Sequence, residues 1–169
     1  MTDFYITVRS FVGTKGHLIP HTWFVLSRSD QPGNIEVNGF APSSHGSPFG
    51  AGKVFHDDET THPKEGVFSG TFKITEASYV AIQNYVKTVE ANPPQYWLNN
   101  GFPILDGPSY PMQCAGFTDY ALKLANINLT IPSQSGLPWG VINPYRFALA
   151  LEVESLKAKT QGNNDFFYD

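Results

Sequence analysis

Between Phe4 and Arg9 apolar and polar residues alternate, with Phe4, Ile6 and Val8 on one side and Tyr5, Thr7 and Arg9 on the other. A period of two predicts an opening strand with one buried face. Two more runs rich in β-formers follow, His21-Thr-Trp-Phe-Val-Leu-Ser27 and Asn34-Ile-Glu-Val-Asn-Gly-Phe40. Between them, Asp30-Gln-Pro-Gly33 supplies turn chemistry, so the two read as a β-hairpin with a long loop. Residues 41–66 carry no period: a Gly/Ser/Pro stretch to Gly52 precedes the polar segment His56-Asp-Asp-Glu-Thr-Thr-His62. So long a loop in a compact domain suits a lid or a cleft wall. Alternation returns at Phe68, Gly70, Phe72 and Ile74, which predicts another strand.

The period then changes to that of a helix. Thr75 is a good N-cap, and Tyr79, Ile82, Val86 and Val89 form a stripe that runs to the Pro93-Pro94 stop. After Gln95-Tyr-Trp-Leu-Asn-Asn-Gly101 and a Pro-rich loop, Phe117, Tyr120, Ala121, Leu124 and Ile127 recur at helical spacing. Leu129 to Trp139 reads as loop. Asn143 as N-cap and Pro144 at the first helical position open a last helix through Leu156. Phe147, Leu149, Leu151 and Val153 also alternate there, but the excess of Ala, Leu, Glu and Lys favours helix. The tail from Asn163 to Asp169 is either a docking segment or frayed. The expected fold is α+β, a small antiparallel sheet packed against helices, and residues 1–169 form a single domain with a sizeable core.

Composition narrows the function. Charged residues make up only 15% and aromatics 14%, which describes a packed globular chain rather than a disordered one. A net charge of −4, with no run among the eleven Lys and Arg, argues against a nucleic-acid or anionic-membrane surface. No stretch approaches the roughly 18 apolar residues of a membrane span, so stable membrane insertion is not expected. The N-terminal residues show neither a basic nor an apolar signal region, so synthesis in the cytoplasm without a Sec-type signal is expected.

The only cysteine, Cys114, stands at the expected start of the helix carrying Phe117, three residues before it. A helix N-terminus favours the nucleophilic form of a thiol. On position alone, a free cysteine more often serves as a small buried hydrophobe. A nucleophilic thiol needs a base and the base an orienting partner. Among five histidines His21 is the candidate, because it opens a strand and shares a face with Trp23 and Val25. Pairing the hairpin about its loop brings His21 toward Asn38 and Phe40, so Asn38, or else Glu36, is the candidate to accept from the imidazole. His17 and His45 are the alternatives to His21. The segment His56-Asp57-Asp58-Glu59 with His62 has metal-type residues without the spacing of a known site, and reads as a solvated acidic loop. No metal ligand and no cofactor is expected. Gly50-Ala-Gly-Lys53 is not a phosphate loop, because Val54 stands where Ser or Thr must bind magnesium.

In order, the chain has His21-Thr-Trp-Phe-Val-Leu26 opening a strand, Phe72-Lys-Ile-Thr75 ending one, and the helix Glu76-Ala-Ser-Tyr-Val-Ala-Ile82. Tyr96-Trp-Leu-Asn-Asn100 and Cys114-Ala-Gly-Phe-Thr-Asp-Tyr120 follow. This order resembles the circularly permuted papain-like, NlpC/P60-type cysteine hydrolases, and most nearly the small peptidoglycan amidase effectors of bacterial type VI secretion. The resemblance covers roughly residues 17–127. It implies a papain-like fold and a cysteine peptidase or amidase in which Cys114 attacks an amide carbonyl, His21 shuttles the proton, and Asn38 (or Glu36) orients His21. Gln113, or the Cys114 backbone N–H, is the implied oxyanion donor, and Trp23 the implied substrate-binding aromatic. It further implies a peptidoglycan peptide as substrate and action as an antibacterial toxin. A secretion machine would deliver it to a target-cell periplasm, with a secretion-system carrier and an immunity protein as partners. Two other classes stay open: a binding or adaptor module of the same fold with an inert Cys114, and a lipid acyltransferase or thioesterase.

Overall fold

The alternation at the N-terminus builds strand β1, Phe4–Phe11, near the middle of the sheet. The computed structural model describes residues 2–14, 19–44, 46–98, 112–129, 144–161 and 166–167. β1 pairs antiparallel with β2, His21–Arg28, from Phe4↔Arg28 to Phe11↔His21. On its other side it pairs antiparallel with β5, Val67–Ile74. Strand β3, Glu36–Pro42, adds to β2, and β4, Phe49–Phe55, adds to β3. The three-residue β6, Gln95–Trp97, closes one edge and β7, Phe166–Phe167, the other. The order is β6-β4-β3-β2-β1-β5-β7, with every neighbouring pair antiparallel. The α+β class expected from the periodicity is therefore present, as an open antiparallel sheet with helices.

One face of the sheet holds the main core. Ile6 and Val8 of β1, Phe24 and Leu26 of β2 and Phe40 of β3 are buried there. They belong to one cluster with Ile82 and Val89 of helix α2, Glu76–Ala91, Phe117 and Ala121 of α3, Cys114–Leu124, and Phe147 and Leu151 of α4, Pro144–Gln161. The opposite face carries a smaller cluster of Phe11, Trp23, Val25 and Val37. Against β3 lies the short α1, Asp58–Thr61.

Local signals account for most boundaries. Thr75 Oγ1 accepts from the Ser78 N–H at 3.1 Å and starts α2, as its N-cap chemistry predicts. The α3 stripe ends a turn before Ile127, because Asn126 adopts φ 57°. There Asn126 N–H donates to the Lys123 carbonyl at 3.0 Å and Ile127 N–H to the Leu122 carbonyl at 2.9 Å, the paired bonds of a Schellman cap. α4 begins at Pro144 as expected and continues past Leu156 to Gln161; Asn143 lies outside the described residues, as do His17 and His45.

Two expectations are corrected. Residues 41–66 are not one irregular loop, since β4 and α1 lie within them. The β2–β3 register is Trp23↔Gly39 and Phe24↔Asn38, which sets Asn38 beside Phe24 and away from His21. Because side chains alternate, that register puts Asn38 on the face opposite His21.

Candidate functional site

Cys114 is placed by a short chain of backbone bonds. Met112 N–H donates to the Gln95 carbonyl at 2.8 Å, and Trp97 N–H donates to the Met112 carbonyl at 3.1 Å, which ties Met112 to β6. Gln113 is extended, with φ −114° and ψ 170°, and its carbonyl accepts the Phe117 N–H at 3.0 Å as the first turn of α3 forms. Cys114 is thus the first residue of a helix whose Phe117 ring stacks on Phe24 at 5.5 Å and Phe40 at 5.6 Å. Cys114 is 1% exposed. Its thiol lies beside the His21 ring and beside Tyr96, the central residue of β6, close enough to act on the proton of each.

His21 opens β2, so its ring sits at the end of the sheet, within reach of groups from both faces. Its Nε2 lies 3.2 Å from Asp58 Oδ1, which leaves Nδ1 for the thiol. Burial of the ring opposes its proton, yet Asp58 and the Cys114 sulfur outweigh burial and raise His21 from 6.5 to about 10. Tyr96 is pushed well above the ordinary phenol range, first by burial and then by the neighbouring Cys114. Its hydroxyl therefore keeps its proton and remains a hydrogen-bond donor.

A stack of rings packs around His21. The His62 ring lies 5.0 Å from His21 and 4.9 Å from Trp23, nearly parallel to both. Trp23 Nε1 donates to Glu59 Oε1 at 2.7 Å, and Arg9 Nε donates to the same oxygen at 3.1 Å. Helix α1 therefore reaches the sheet through Asp58, Glu59 and His62. His62 is held below its ordinary value, mainly by burial and then by the facing His21. A cavity of about 490 Å³ opens beside these groups, walled by His21, Asp58, His62, Pro42, Tyr96 and Leu98 among others. The two groups beside the thiol, His21 and Tyr96, thus both line the cavity.

Of the residues anticipated from sequence, Cys114 and His21 meet. Trp23 packs against the His62 ring and shares its face. Gln113 is buried immediately before the thiol. Asn38 is buried but donates from Nδ2 to the Glu36 carbonyl at 3.0 Å, not to His21. Glu36 is engaged by α2, accepting from Tyr79 at 2.9 Å and Gln83 at 2.7 Å. The group against His21 is Asp58, from the segment expected to be a solvated acidic loop; it is 5% exposed. The only trace of it in the sequence is the i, i+4 spacing of Asp58 and His62, which one helical turn brings together.

Comparison with protein-family models, curated proteins and solved structures gives no match. A thiol at a helix start, an imidazole beside it and a carboxylate behind the imidazole are the parts that, in nucleophilic catalysis, pass a proton between sulfur and nitrogen while the carboxylate fixes the ring. Among the described residues, no helix is long and apolar enough to cross a membrane.

Proposed function

We propose that this chain is a cysteine hydrolase that cleaves amide bonds, with Cys114 as nucleophile, His21 as acid and base, and Asp58 as the group orienting His21. The observation that carries the reading is the succession of Cys114, the His21 ring and Asp58, whose Oδ1 lies 3.2 Å from His21 Nε2. In the first half-reaction the sulfur attacks the amide carbon. His21 holds the thiol proton and gives it to the departing amine. In the second, His21 takes a proton from water, the resulting hydroxide attacks the thioester, and the acid leaves as Cys114 regains its proton. Tyr96, a donor beside the sulfur, stabilises the oxyanion; Gln113 and the Cys114 backbone N–H are the other candidates.

The finer assignments come from the sequence motifs alone: a permuted papain-like fold, a peptidoglycan peptide as substrate, and delivery as an antibacterial effector by a type VI secretion machine with an immunity protein as antagonist. Purified peptidoglycan digested by wild type and by Cys114→Ala, with released muropeptides weighed by mass spectrometry, tests the substrate and the nucleophile. Release by the wild type alone is expected, and the fragment masses name the bond. Equal release by both would remove Cys114 as the nucleophile.

A second reading is favoured by the 1% exposure of Cys114, which suits a binding module with an inert thiol. Alkylation by iodoacetamide at neutral pH separates the two, since an activated thiol reacts rapidly and an inert one does not.

A further inference from the structure

We propose that His21, Asp58 and His62 form a binding site for a divalent transition-metal ion of the zinc class, and that an ion held there silences the Cys114–His21 pair. One ligand atom from each of the three residues lies within 4.8 Å of the other two. His21 Nε2, at 3.2 Å, and His62 Nδ1, at 3.5 Å, converge on the same oxygen, Asp58 Oδ1. Two imidazoles and a carboxylate are the donor set of many zinc sites that keep open positions, and here those positions face the cavity.

A second observation points to a ligand independently. The other carboxylate oxygen, Asp58 Oδ2, is buried and has no hydrogen-bond partner. An unpartnered buried carboxylate oxygen is costly, and such atoms in folded proteins call for an ion or water. Oδ2 also lies near His21: it crowds the point where a side chain on Gly39 would begin, and His21 Nε2 is 3.0 Å from that same point. The missing side chain at Gly39 thus leaves carboxylate and imidazole flanking one spot. The stack of His21, His62 and Trp23 holds both imidazoles in place before any ion arrives. Such preorganisation is what a metal site needs from its surroundings.

The consequence for chemistry follows from the two ring nitrogens. An ion on Nε2 takes the lone pair that otherwise carries the proton shared with Asp58, and that proton leaves to solvent. The ring's one remaining proton then sits on Nδ1, facing the sulfur. A neutral imidazole bound to a metal neither accepts a second proton nor readily releases the first, so the shuttle stops. The silencing rests on the hydrolase reading; the binding does not.

The test uses the full chain freed of metal by a chelator and titrated calorimetrically with zinc chloride. One ion per chain is expected. Cys114→Ala should bind as wild type does. His62→Ala, and His62→Gln as a second variant checked for native circular dichroism, should bind at least ~100-fold more weakly, since even the loss of an outer-shell partner costs 10–100-fold. In parallel, iodoacetamide labelling of Cys114 should slow at least tenfold with saturating zinc and recover with chelator. Absence of saturable binding overturns the site. So does binding that survives both His62 variants but disappears in Cys114→Ala, which would assign the ion to the thiol. Labelling that zinc leaves unchanged overturns the silencing. A thiol that resists labelling with and without zinc removes the hydrolase reading and the silencing with it, while calorimetry still decides the ion site.

Discussion

Gly39 and Asp58 share one volume: a Cβ on Gly39 would collide with the Asp58 carboxylate and come within 3.0 Å of His21 Nε2. Gly39 is not in the left-handed region, so its role is close approach rather than backbone freedom. The carboxylate reaches the imidazole because β3 offers bare backbone opposite Trp23. Gly39→Ala should therefore act on the site more than on the fold. It is expected to push Asp58 off His21, lower turnover by at least an order of magnitude, and cost about 1–3 kcal/mol in urea unfolding, the usual range for an inserted methyl group in a packed interior. Activity that survives Gly39→Ala undiminished would show that Asp58 does not orient His21.

Asp58 and Asn38 make opposite predictions. Asp58→Asn keeps the shape but removes the charge against His21, and is expected to lower kcat by two orders of magnitude or more, as losing the orienting carboxylate of a nucleophile–imidazole–carboxylate group does. Asn38→Ala breaks only the bond to the Glu36 carbonyl. It should cost roughly 1 kcal/mol of stability, the common worth of one neutral hydrogen bond, and leave kcat within about twofold. The reverse ranking of the two variants would return the orienting role to Asn38.

The contrast between those residues shows where reading the sequence stops. β1, β5 and α2 were legible because each carries its own period and α2 its own cap at Thr75, and β2 because it is rich in β-formers. Cys114 and His21 stood out because one is the sole thiol and the other begins a strand. β4 was hidden by its glycines: positions 50, 52 and 54 are its inward ones, and with Gly50 and Gly52 at two of them no apolar period marks the strand. Gly52 looked like a loop residue, yet a side chain there would strike the Phe40 ring and the Pro94 carbonyl, so it is a packing glycine inside a strand. Asp58 was hidden differently. In an acidic run a carboxylate reads as solvated, and its burial arises only once the β2–β3 register sets Gly39 opposite Trp23.

The His21 proton should appear in the stability curve. Its value rises from 6.5 unfolded to about 10 folded, because Asp58 and Cys114 outweigh the burial that opposes the charge. A base raised on folding contributes stability that is complete below pH 6.5 and is lost as pH climbs toward about 10, at up to about 1.4 kcal/mol per unit. Urea melts across that interval should show declining stability, and His21→Gln should flatten the decline. His62 has the opposite sign: held low by burial and by His21, it contributes stability above its ordinary value that is lost as pH falls through its depressed one. A wild-type curve that is level across the alkaline interval would contradict the His21 assignment.

The last prediction concerns what seats the thiol. Phe117 is fully buried, and its ring contacts Phe24, Phe40 and Tyr85, so it joins the first turn of α3 to β2, β3 and α2 at once. Tyr85 also donates to the Phe117 carbonyl at 3.4 Å. Phe117→Ala should cost about 3–5 kcal/mol, the usual penalty for emptying a buried phenylalanine site. Phe117→Leu fills most of that volume and should cost less than half as much. The two variants separate packing from chemistry. Under conditions where both remain folded, Phe117→Leu is expected to keep iodoacetamide labelling of Cys114 within about twofold of wild type. Phe117→Ala, with the helix start loosened from His21 and Tyr96, should label at a rate that no longer depends on whether residue 58 is Asp or Asn. Persistence of that dependence in Phe117→Ala would mean that Met112, tied to β6, is enough to hold the thiol in place without the aromatic core beneath it.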